Sequence, residues 1–222
     1  MDLIDETRRE QARYDRQARW YDVAVAPVEA LVFLGLRRRL WSAIDGTRRV
    51  LEIGVGTGRN LAHYPKTSRS VALDLSPEML KRAARKATRD GRRVDFLLAD
   101  TQHLPFKDGV FDIVMATLVF CSVPDPVRGL AEAGRAVRPQ GQVVLLEHVR
   151  AENGVLGKAM DALNRLTARS GEYVNRDTAA NVRKAGLEVT HEEKHRMGIV
   201  KLLRARPRVE AAAKGEDNVV AS

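Results

Sequence analysis

From residue 49 onward, apolar strand patterns alternate with helical patterns, and this alternation restricts the fold more than any other feature of the chain. Alternation of this kind builds a parallel sheet from βαβ units. Strands are expected at 49–54, 70–74, 94–98, 111–117 and 142–148, and helices at 58–64, 77–89, 126–137, 155–168 and 178–185. Two last strands, 187–194 and 198–206, have only a tight connection between them, so they should pair antiparallel.

The segment before the sheet reads as two helices. Residues 6–22 show one apolar face, and Pro27 suits the first turn of a second helix over 27–44, which Gly46 ends. The chain of 222 residues has the size of one domain. We divide it into an N-terminal helical part, a sheet core and a tail that lacks an apolar face and is expected to be disordered: 1–46, 47–206 and 207–222.

Composition favours a protein of the cytoplasm. The start of the chain has no apolar segment typical of a secretory signal, and no apolar run approaches the roughly 20 residues of a spanning helix. The single cysteine, Cys121, excludes an internal disulfide and a cysteine-clustered metal site, and no metal is expected. The net charge of +9 raises the question of a nucleic-acid partner. Aromatic residues make up only 5% of the chain, which argues against a dedicated nucleic-acid surface. Acidic lipid head groups or anionic substrates explain the charge equally well.

The loop after the first strand, "VLEIGVGTGRN" (50–60), carries glycines at positions 54, 56 and 58. Glycines at such a turn let the backbone approach a ligand where any Cβ would clash. The spacing differs from the G-x-G-x-x-G of dinucleotide binders, and the Lys-Ser/Thr ending of a P-loop is missing. Glu52, inside the strand, is a poor neighbour for a pyrophosphate and a good one for a cation. The loop therefore predicts a nucleoside ligand that carries positive charge and no phosphate.

Polar residues end the next strands, at the sheet edge where open parallel sheets bind ligands. Asp74 is placed to accept two ribose hydroxyls, although it could instead cap the helix that follows, for which Ser76 is the better residue. Asp100 can accept the exocyclic amine of adenine, while the N–H of Thr101 reaches a ring nitrogen. Met79 and Leu80 could face the base or belong to the helix core, Leu75 is also expected to contact the cofactor, and Thr117 ends the fourth strand over the same crevice.

The ordered set of motifs resembles the class I S-adenosylmethionine-dependent methyltransferases, within them the group typified by the ubiquinone/menaquinone methyltransferases. The matching segments are "YDRQARWYD" (14–22), "VLEIGVGTGRN" (50–60), "ALDLSPEML" (72–80), "LADTQHLPFKDGVFDIV" (98–114) and "VRGLAEAGRAVRPQGQVVLLEH" (127–148). The resemblance implies an α/β, Rossmann-like fold with a seven-stranded sheet of order 3-2-1-4-5-7-6, the last strand antiparallel, and N-terminal helices over the cofactor cleft. It also implies S-adenosylmethionine as the cofactor.

Roles for single residues follow from this resemblance. Gly54, Gly56 and Gly58 would pass under the amino-acid part of the cofactor, with Glu52 setting the polarity of their loop. Asp74 would hold the ribose, Asp100 and Thr101 the adenine, and the Thr117 carbonyl the methionine amine. Tyr14 and Tyr21 look like the lid aromatics of the family, or they simply pack the N-terminal helix.

Methyl transfer asks mainly that the acceptor be held in line and water kept out. A phenol, thiol or carbon acceptor benefits from a base, whereas an amine need only arrive neutral. His148, at the end of the fifth strand, is the expected base, with Tyr21 as the second catalytic candidate; the alternative for His148 is a solvated strand end. His103 and Cys121 lie in loops near the same crevice, and Cys121 reads as a small buried residue.

The acceptor is less well defined by the sequence. The segment 120–152 and "NRDT" (175–178) resemble the branch with bacterial phospholipid N-methyltransferases and membrane-associated alkyl-thiol methyltransferases, with quinone precursors close behind. The apolar "VEALVFLGL" followed by "RRR" (37–39) either lies in a lipid interface or roofs the cleft with solvated arginines. Asn175, Arg176 and Asp177 could line an acceptor pocket, or Asp177 could cap the next helix.

Two alternatives to a methyltransferase remain open. A non-catalytic or regulatory module of the same fold predicts damaged cofactor residues, yet Glu52, the three glycines, Asp74 and Asp100 are all in place. An NAD-dependent reductase is opposed by the glycine spacing and by the paired terminal strands.

Overall fold

The computed structural model describes residues 3–67, 69–151, 154–167 and 173–208. Most of the predicted tail, residues 209–222, lies outside the described residues, and Pro207 still belongs to the last strand. In the described part the helices are α1 (Leu3–Val28), α2 (Leu34–Ser42), α3 (Pro77–Arg89), α4 (Pro126–Ala136), α5 (Gly154–Thr167) and α6 (Thr178–Lys184). The strands are β1 (Arg49–Ile53), β2 (Arg69–Asp74), β3 (Val94–Leu98), β4 (Phe111–Thr117), β5 (Val137–His148), β6 (Leu187–His195) and β7 (Val200–Pro207).

The strands form one seven-stranded sheet of order β3-β2-β1-β4-β5-β7-β6, which confirms the predicted fold. β1 lies in the middle and pairs in parallel with β2 and β4, so that Val50 stands opposite both Ser70 and Ile113. β7 runs antiparallel between β5 and β6, as the tight connection indicated. The carboxyl ends of β1 to β4 therefore meet at one edge of the sheet.

Both faces of the sheet are buried. On one face Leu51 and Ile53 pack with the apolar residues of α4 and α6. On the other face Val50 packs with residues of α2 and α3, among them Trp41 and Ala83. Burial on two sides explains why the central strands read as continuous apolar runs rather than as alternating ones.

The N-terminal segment differs from the two separate helices predicted for 6–22 and 27–44. Pro27 lies inside α1 instead of starting a second helix, and a π-helical turn over Glu29–Phe33 leads directly into α2. The wider turn turns Glu29 inward, where it ion-pairs with Arg37. Pairing of a buried charge outweighs the local preference of proline for a helix start.

The helix predicted for 58–64 is also wrong, because the structure contains only a 3-10 turn there, Leu61–His63. Gly54, Gly56 and Gly58 all have positive φ, which an α-helix excludes. A Cβ on Gly54 would lie 2.5 Å from Cγ2 of Val119, so close packing of the loop also requires glycine. No helix of the described ranges is both long enough and apolar enough to cross a membrane.

Candidate active site

A cavity opens at the carboxyl edge of the sheet, between the ends of β1 to β4 and the overlying helix α1. Every residue predicted to bind the cofactor lines it, apart from Gly58, which lies deeper and packs against Leu61 and Ala83: Tyr14, Glu52, Gly54, Gly56, Asp74, Leu75, Met79, Asp100, Thr101, Thr117. The topology thus brings residues more than a hundred positions apart into one wall.

Asp74 ties the glycine loop to the next strand. Its Oδ2 accepts the N–H of Gly56 at 2.8 Å and its Oδ1 accepts the N–H of Ser76 at 2.9 Å. Burial raises the pKa of this carboxyl to about 6, against the lowering effect of these backbone hydrogen bonds. The N-cap of α3 is Ser76, whose Oγ accepts the Met79 N–H, so Asp74 is left to face the cavity.

Glu52 is held inside a polar network under the glycine loop. Asn60 donates to Oε1 at 2.5 Å, and the Tyr64 hydroxyl donates to Oε2. Burial raises the pKa of Glu52 to about 7, although both hydrogen bonds and nearby Arg37 lower it. The carboxyl therefore contributes polarity to the wall while its protonation changes near neutrality.

Arg37 completes this network and corrects the expectation that all of "RRR" is at the surface. Its guanidinium is buried, pairs with Glu29 at 2.5 Å and donates to Asn60 Oδ1 at 2.9 Å. The sequence hides this role because the buried partners, Glu29 and Asn60, come from two other segments. Only Arg38 and Arg39 point outward, and Arg39 pairs with Glu193.

The wall beyond β3 offers groups suited to a heteroaromatic base. Asp100 Oδ1 accepts the backbone N–H of Gln102 at 2.8 Å, and the Gln102 amide donates to both oxygens of the same carboxylate. The Thr101 hydroxyl is buried and has no hydrogen-bond partner in the structure. Its oxygen lies towards Gly129 of α4, where an added Cβ would be 3.6 Å from it, so the hydroxyl is not open to the cavity.

The helix α1 covers the cavity and is held down by polar contacts. Gln11 donates to the Leu75 carbonyl at 3.1 Å, the Ser76 hydroxyl donates to Asp15, and Thr57 donates to Asp22 at 2.7 Å. We call Gln11, Asp15 and Asp22 the latch residues. Sequence reasoning missed them, although their spacing of four and seven positions indicates one helix face.

Tyr14 and Tyr21 belong to α1 and line the cavity. Their rings meet edge to face with centroids 6.5 Å apart. Burial raises the pKa of the Tyr14 hydroxyl well above its usual value, and a hydrogen bond with Ser122 opposes this effect. Tyr14 is therefore a neutral phenol at physiological pH.

The other residues considered for chemistry lie outside the wall. His148 ends β5 half-buried opposite Val200 and is not among the described residues that line the cavity. His103 is exposed beside Arg128. Cys121 is buried in the loop after β4, with its Sγ 3.7 Å from the Leu118 carbonyl.

The segment "NRD" (175–177) contacts two helices and the loop after β4. Asp177 caps α6 by accepting the Ala180 N–H at 3.0 Å, as its alternative role predicted. Asn175 donates to Asp161 at 3.0 Å. Arg176 donates to the carbonyls of Phe120 and Val123, so it holds the loop after β4 rather than the acceptor itself.

Comparison with known proteins matches residues 51–145 to the methyltransferase domain family. The chain is 37% identical over 119 residues to a phosphatidylethanolamine N-methyltransferase of Cereibacter sphaeroides, covering 53% of this chain and 59% of that protein. It is 30% identical over 158 residues to a ubiquinone/menaquinone biosynthesis C-methyltransferase of Citrifermentans bemidjiense, covering 65% of each. A methyltransferase structure from Thermotoga maritima shares the fold with a TM-score of 0.69 at 21% identity, over 90% of this chain and 100% of that one. The chain thus spans less than two thirds of either curated relative.

Proposed function

We propose that this chain is an S-adenosylmethionine-dependent methyltransferase which methylates a small lipophilic acceptor, since residues 51–145 match the methyltransferase domain family. The domain match over residues 51–145 supports the family and the cofactor predicted from the sequence. Phospholipid amines, quinone precursors and thiols are the acceptor classes to be tested.

The observation that carries the proposal is the convergence of the glycine loop, Asp74, Asp100 and Thr101 on one covered cavity. The residues fit an adenosine derivative that lacks phosphate. Asp74 would take the ribose, Asp100 and Thr101 the adenine, and the glycine loop with Thr117 the amino-acid end. Glu52 and Asp74 add negative polarity, which suits a cationic ligand and disfavours a pyrophosphate.

When bound, S-adenosylmethionine supplies a methyl group already activated by its sulfonium charge. The chain then has to orient the acceptor and keep water out. α1 covers the cavity, and Tyr14 and Tyr21 form an aromatic wall beneath it. We assign the exclusion of water to this helix.

The two residues proposed for catalysis stand differently towards the cavity. Tyr21 lies in the wall, where it can contact an acceptor directly. His148 lies outside the wall, so a proton transfer to it would need an acceptor that extends past the end of β5. An amine acceptor that arrives neutral needs neither transfer.

Ligand binding and methyl transfer test the proposal separately. Thermal-shift measurements with S-adenosylmethionine, S-adenosylhomocysteine and NADH should show stabilisation by the first two, because a ligand that binds only the native state raises its stability. Transfer of a radiolabelled methyl group is then assayed with phosphatidylethanolamine vesicles, a demethylated quinone and an alkyl thiol.

Matched variants sharpen this experiment. Asp74→Asn should strongly reduce both the shift and the transfer, whereas Asp95→Asn, the same change at an exposed position of β3, should alter neither. Stabilisation by NADH alone contradicts the family-based function. Stabilisation by both adenosyl ligands without transfer to any acceptor favours the non-catalytic module instead.

An exposed apolar surface supports a lipophilic acceptor and contact with a membrane surface. On the outer side of the N-terminal helices, Trp20, Val23, Leu31 and Leu34 are 64%, 71%, 74% and 52% exposed. We call these four residues the outer stripe. Arg196 donates to the Leu31 carbonyl, which brings Met197, 83% exposed, to the same side.

Basic side chains surround the outer stripe. Arg16, Arg19 and Arg38 are exposed on the same helices, in a chain of net charge +9. An apolar stripe with a cationic rim is the pattern of a helix that lies in an anionic lipid interface. We place peripheral membrane contact here, next to the helix that covers the cavity.

A further inference from the structure

The loop that follows β4, residues 118–124, forms part of the cavity wall, and its Ser122 meets Tyr14 of α1. Leu118 opens this loop with φ of 58°, a left-handed conformation that is unfavourable for a residue with a Cβ. The Val119 side chain packs so tightly on the glycine loop that a Cβ on Gly54 would lie 2.5 Å from it. The shape of the loop after β4 is therefore linked directly to the shape of the glycine loop.

Glu147, near the end of β5, fills the backbone concavity behind Leu118. Its side chain is fully buried, and Oε1 accepts the N–H of Val119 at 2.9 Å and of Phe120 at 3.2 Å. Successive N–H groups beside a left-handed residue form a concavity that binds anions. Here the occupant is a side chain of the protein itself.

Arg176 holds the same loop through its carbonyl groups. Its Nη1 donates to Phe120 at 2.7 Å and to Val123 at 2.6 Å. Glu147 and Arg176 together bind two N–H and two carbonyl groups of one short loop, and neither side chain lines the cavity. They act on the ligand only through the loop.

The second carboxyl oxygen of Glu147, Oε2, does not take part in holding the loop. Oε2 is buried and makes no hydrogen bond within the described structure. Burying a carboxyl with one unsatisfied oxygen lowers stability, so the contacts of Oε1 are the compensation that this position offers. Burial also raises the pKa of Glu147 to about 7, and glutamine resembles the neutral form of the group.

We propose that Glu147 is a positioning residue of the cofactor site, which holds Leu118 in its left-handed conformation and thereby fixes the loop after β4 against the glycine loop. The test of this inference uses S-adenosylhomocysteine as the ligand, and only in that choice does the inference rest on the proposed function. Arg176 supports the same geometry from the carbonyl side. Neither residue takes part in the chemistry.

The test measures the affinity of S-adenosylhomocysteine by calorimetry for Glu147→Ala, Glu147→Gln and the exposed control Glu188→Ala on β6. Glu147→Ala should bind about tenfold more weakly or worse, because the loop loses the one oxygen that accepts both of its N–H groups. Glu147→Gln should stay within about threefold of the wild type, since its carbonyl oxygen can still accept both bonds. Glu188→Ala should not differ from the wild type.

A double-mutant cycle with Leu118→Gly separates positioning from general stability. Glycine adopts positive φ without strain, so Glu147→Ala combined with Leu118→Gly should bind within about threefold of Leu118→Gly alone. A purely structural role for Glu147 lowers the melting temperature without this rescue. If Glu147→Ala alone does not fold, the affinity of the double variant is measured in its place.

Three results overturn the inference. They are wild-type affinity in folded Glu147→Ala, a loss of affinity that Leu118→Gly does not restore, and a double variant that does not fold. Failure of the wild-type protein to bind S-adenosylhomocysteine contradicts the proposed function instead. The two ideas therefore fail in different measurements.

Discussion

At the scale of single residues, the site depends on carboxyl groups that are buried at the edge of the sheet. Glu52, Asp74 and Glu147 all have raised pKa values, and in each case burial is the main cause. Their partners differ, because Asp74 and Glu147 hold backbone N–H groups while Glu52 is held by side chains. The pH dependence of binding and that of stability can therefore be assigned to different residues.

Affinity for S-adenosylhomocysteine should depend on the ionisation of Asp74. With its pKa at about 6, the carboxylate that we propose accepts the ribose hydroxyls is lost as the pH falls below that value. Calorimetry should find binding about tenfold weaker at pH 5 than at pH 7.5, since one pH unit below the pKa leaves about a tenth of the group ionised. Asp74→Asn should bind weakly and without this dependence. A dependence that survives in Asp74→Asn belongs to another group.

Glu52 should make the free energy of unfolding fall as pH rises. Its folded pKa, about 7, lies above the ordinary value of 4.5, so the native state binds the proton more tightly and loses this advantage between the two values. Glu52→Gln removes the titration. Relative to the wild type, the variant should gain about 2 to 3 kcal/mol between pH 4.5 and pH 8 in urea unfolding.

Glu188→Gln, an exposed change on β6, is the matched control for this measurement. Glutamine also alters the hydrogen bonds to Tyr64 and Asn60 at every pH. The quantity compared is therefore how the difference in unfolding free energy between Glu52→Gln and the wild type changes with pH. Parallel curves for the wild type and Glu52→Gln would show that Glu52 keeps an ordinary pKa in the folded protein.

At the scale of elements, the sequence predicts strands better than the connections between them. β1, β2 and β4 follow from apolar runs because burial on both faces leaves a clear pattern, and Asp74 and Thr117 stand at the ends of β2 and β4. The π-helical turn at Glu29–Phe33 could not be predicted from the sequence, since its buried Glu29 pairs with Arg37 only in the folded chain. The latch residues were missed for the same reason, as each contacts a loop that is distant in the chain.

The latch should control how long a ligand stays bound. Gln11→Ala combined with Asp15→Ala removes the hydrogen bonds of α1 to Leu75 and Ser76. We expect S-adenosylhomocysteine to dissociate about tenfold faster, because exposed and half-buried hydrogen bonds contribute roughly 0.5–1.5 kcal/mol each. Stopped-flow displacement measures the rate. Gln17→Ala, on the exposed side of the same helix, should leave it unchanged, and an unchanged rate in the double variant would mean that α1 does not gate the cavity.

At the scale of the whole molecule, α1 and the segment that follows it separate two environments. Their inner side covers the cavity through polar contacts, while Trp20, Val23, Leu31 and Leu34 face outward. An apolar outer side does nothing for the internal packing of the chain, and large exposed apolar patches on proteins commonly mark interaction sites. Joined to the net charge of +9, the outer stripe favours an anionic lipid surface over an apolar protein partner.

Trp20 allows the proposed membrane contact to be tested directly. The chain has two tryptophans, of which Trp41 is fully buried, so Trp41→Phe leaves the exposed Trp20 as a single reporter. Its emission should shift to the blue with vesicles that contain phosphatidylglycerol and not with pure phosphatidylcholine. The shift should weaken as salt is raised from about 0.05 to 0.5 M, because screening acts on the arginine rim.

Leu31→Asp with Leu34→Asp should abolish the shift, whereas the exposed pair Asp95→Asn and Glu188→Gln should not. A shift that is equal on neutral vesicles and insensitive to salt would assign the contact to the apolar stripe alone and remove the arginines from it.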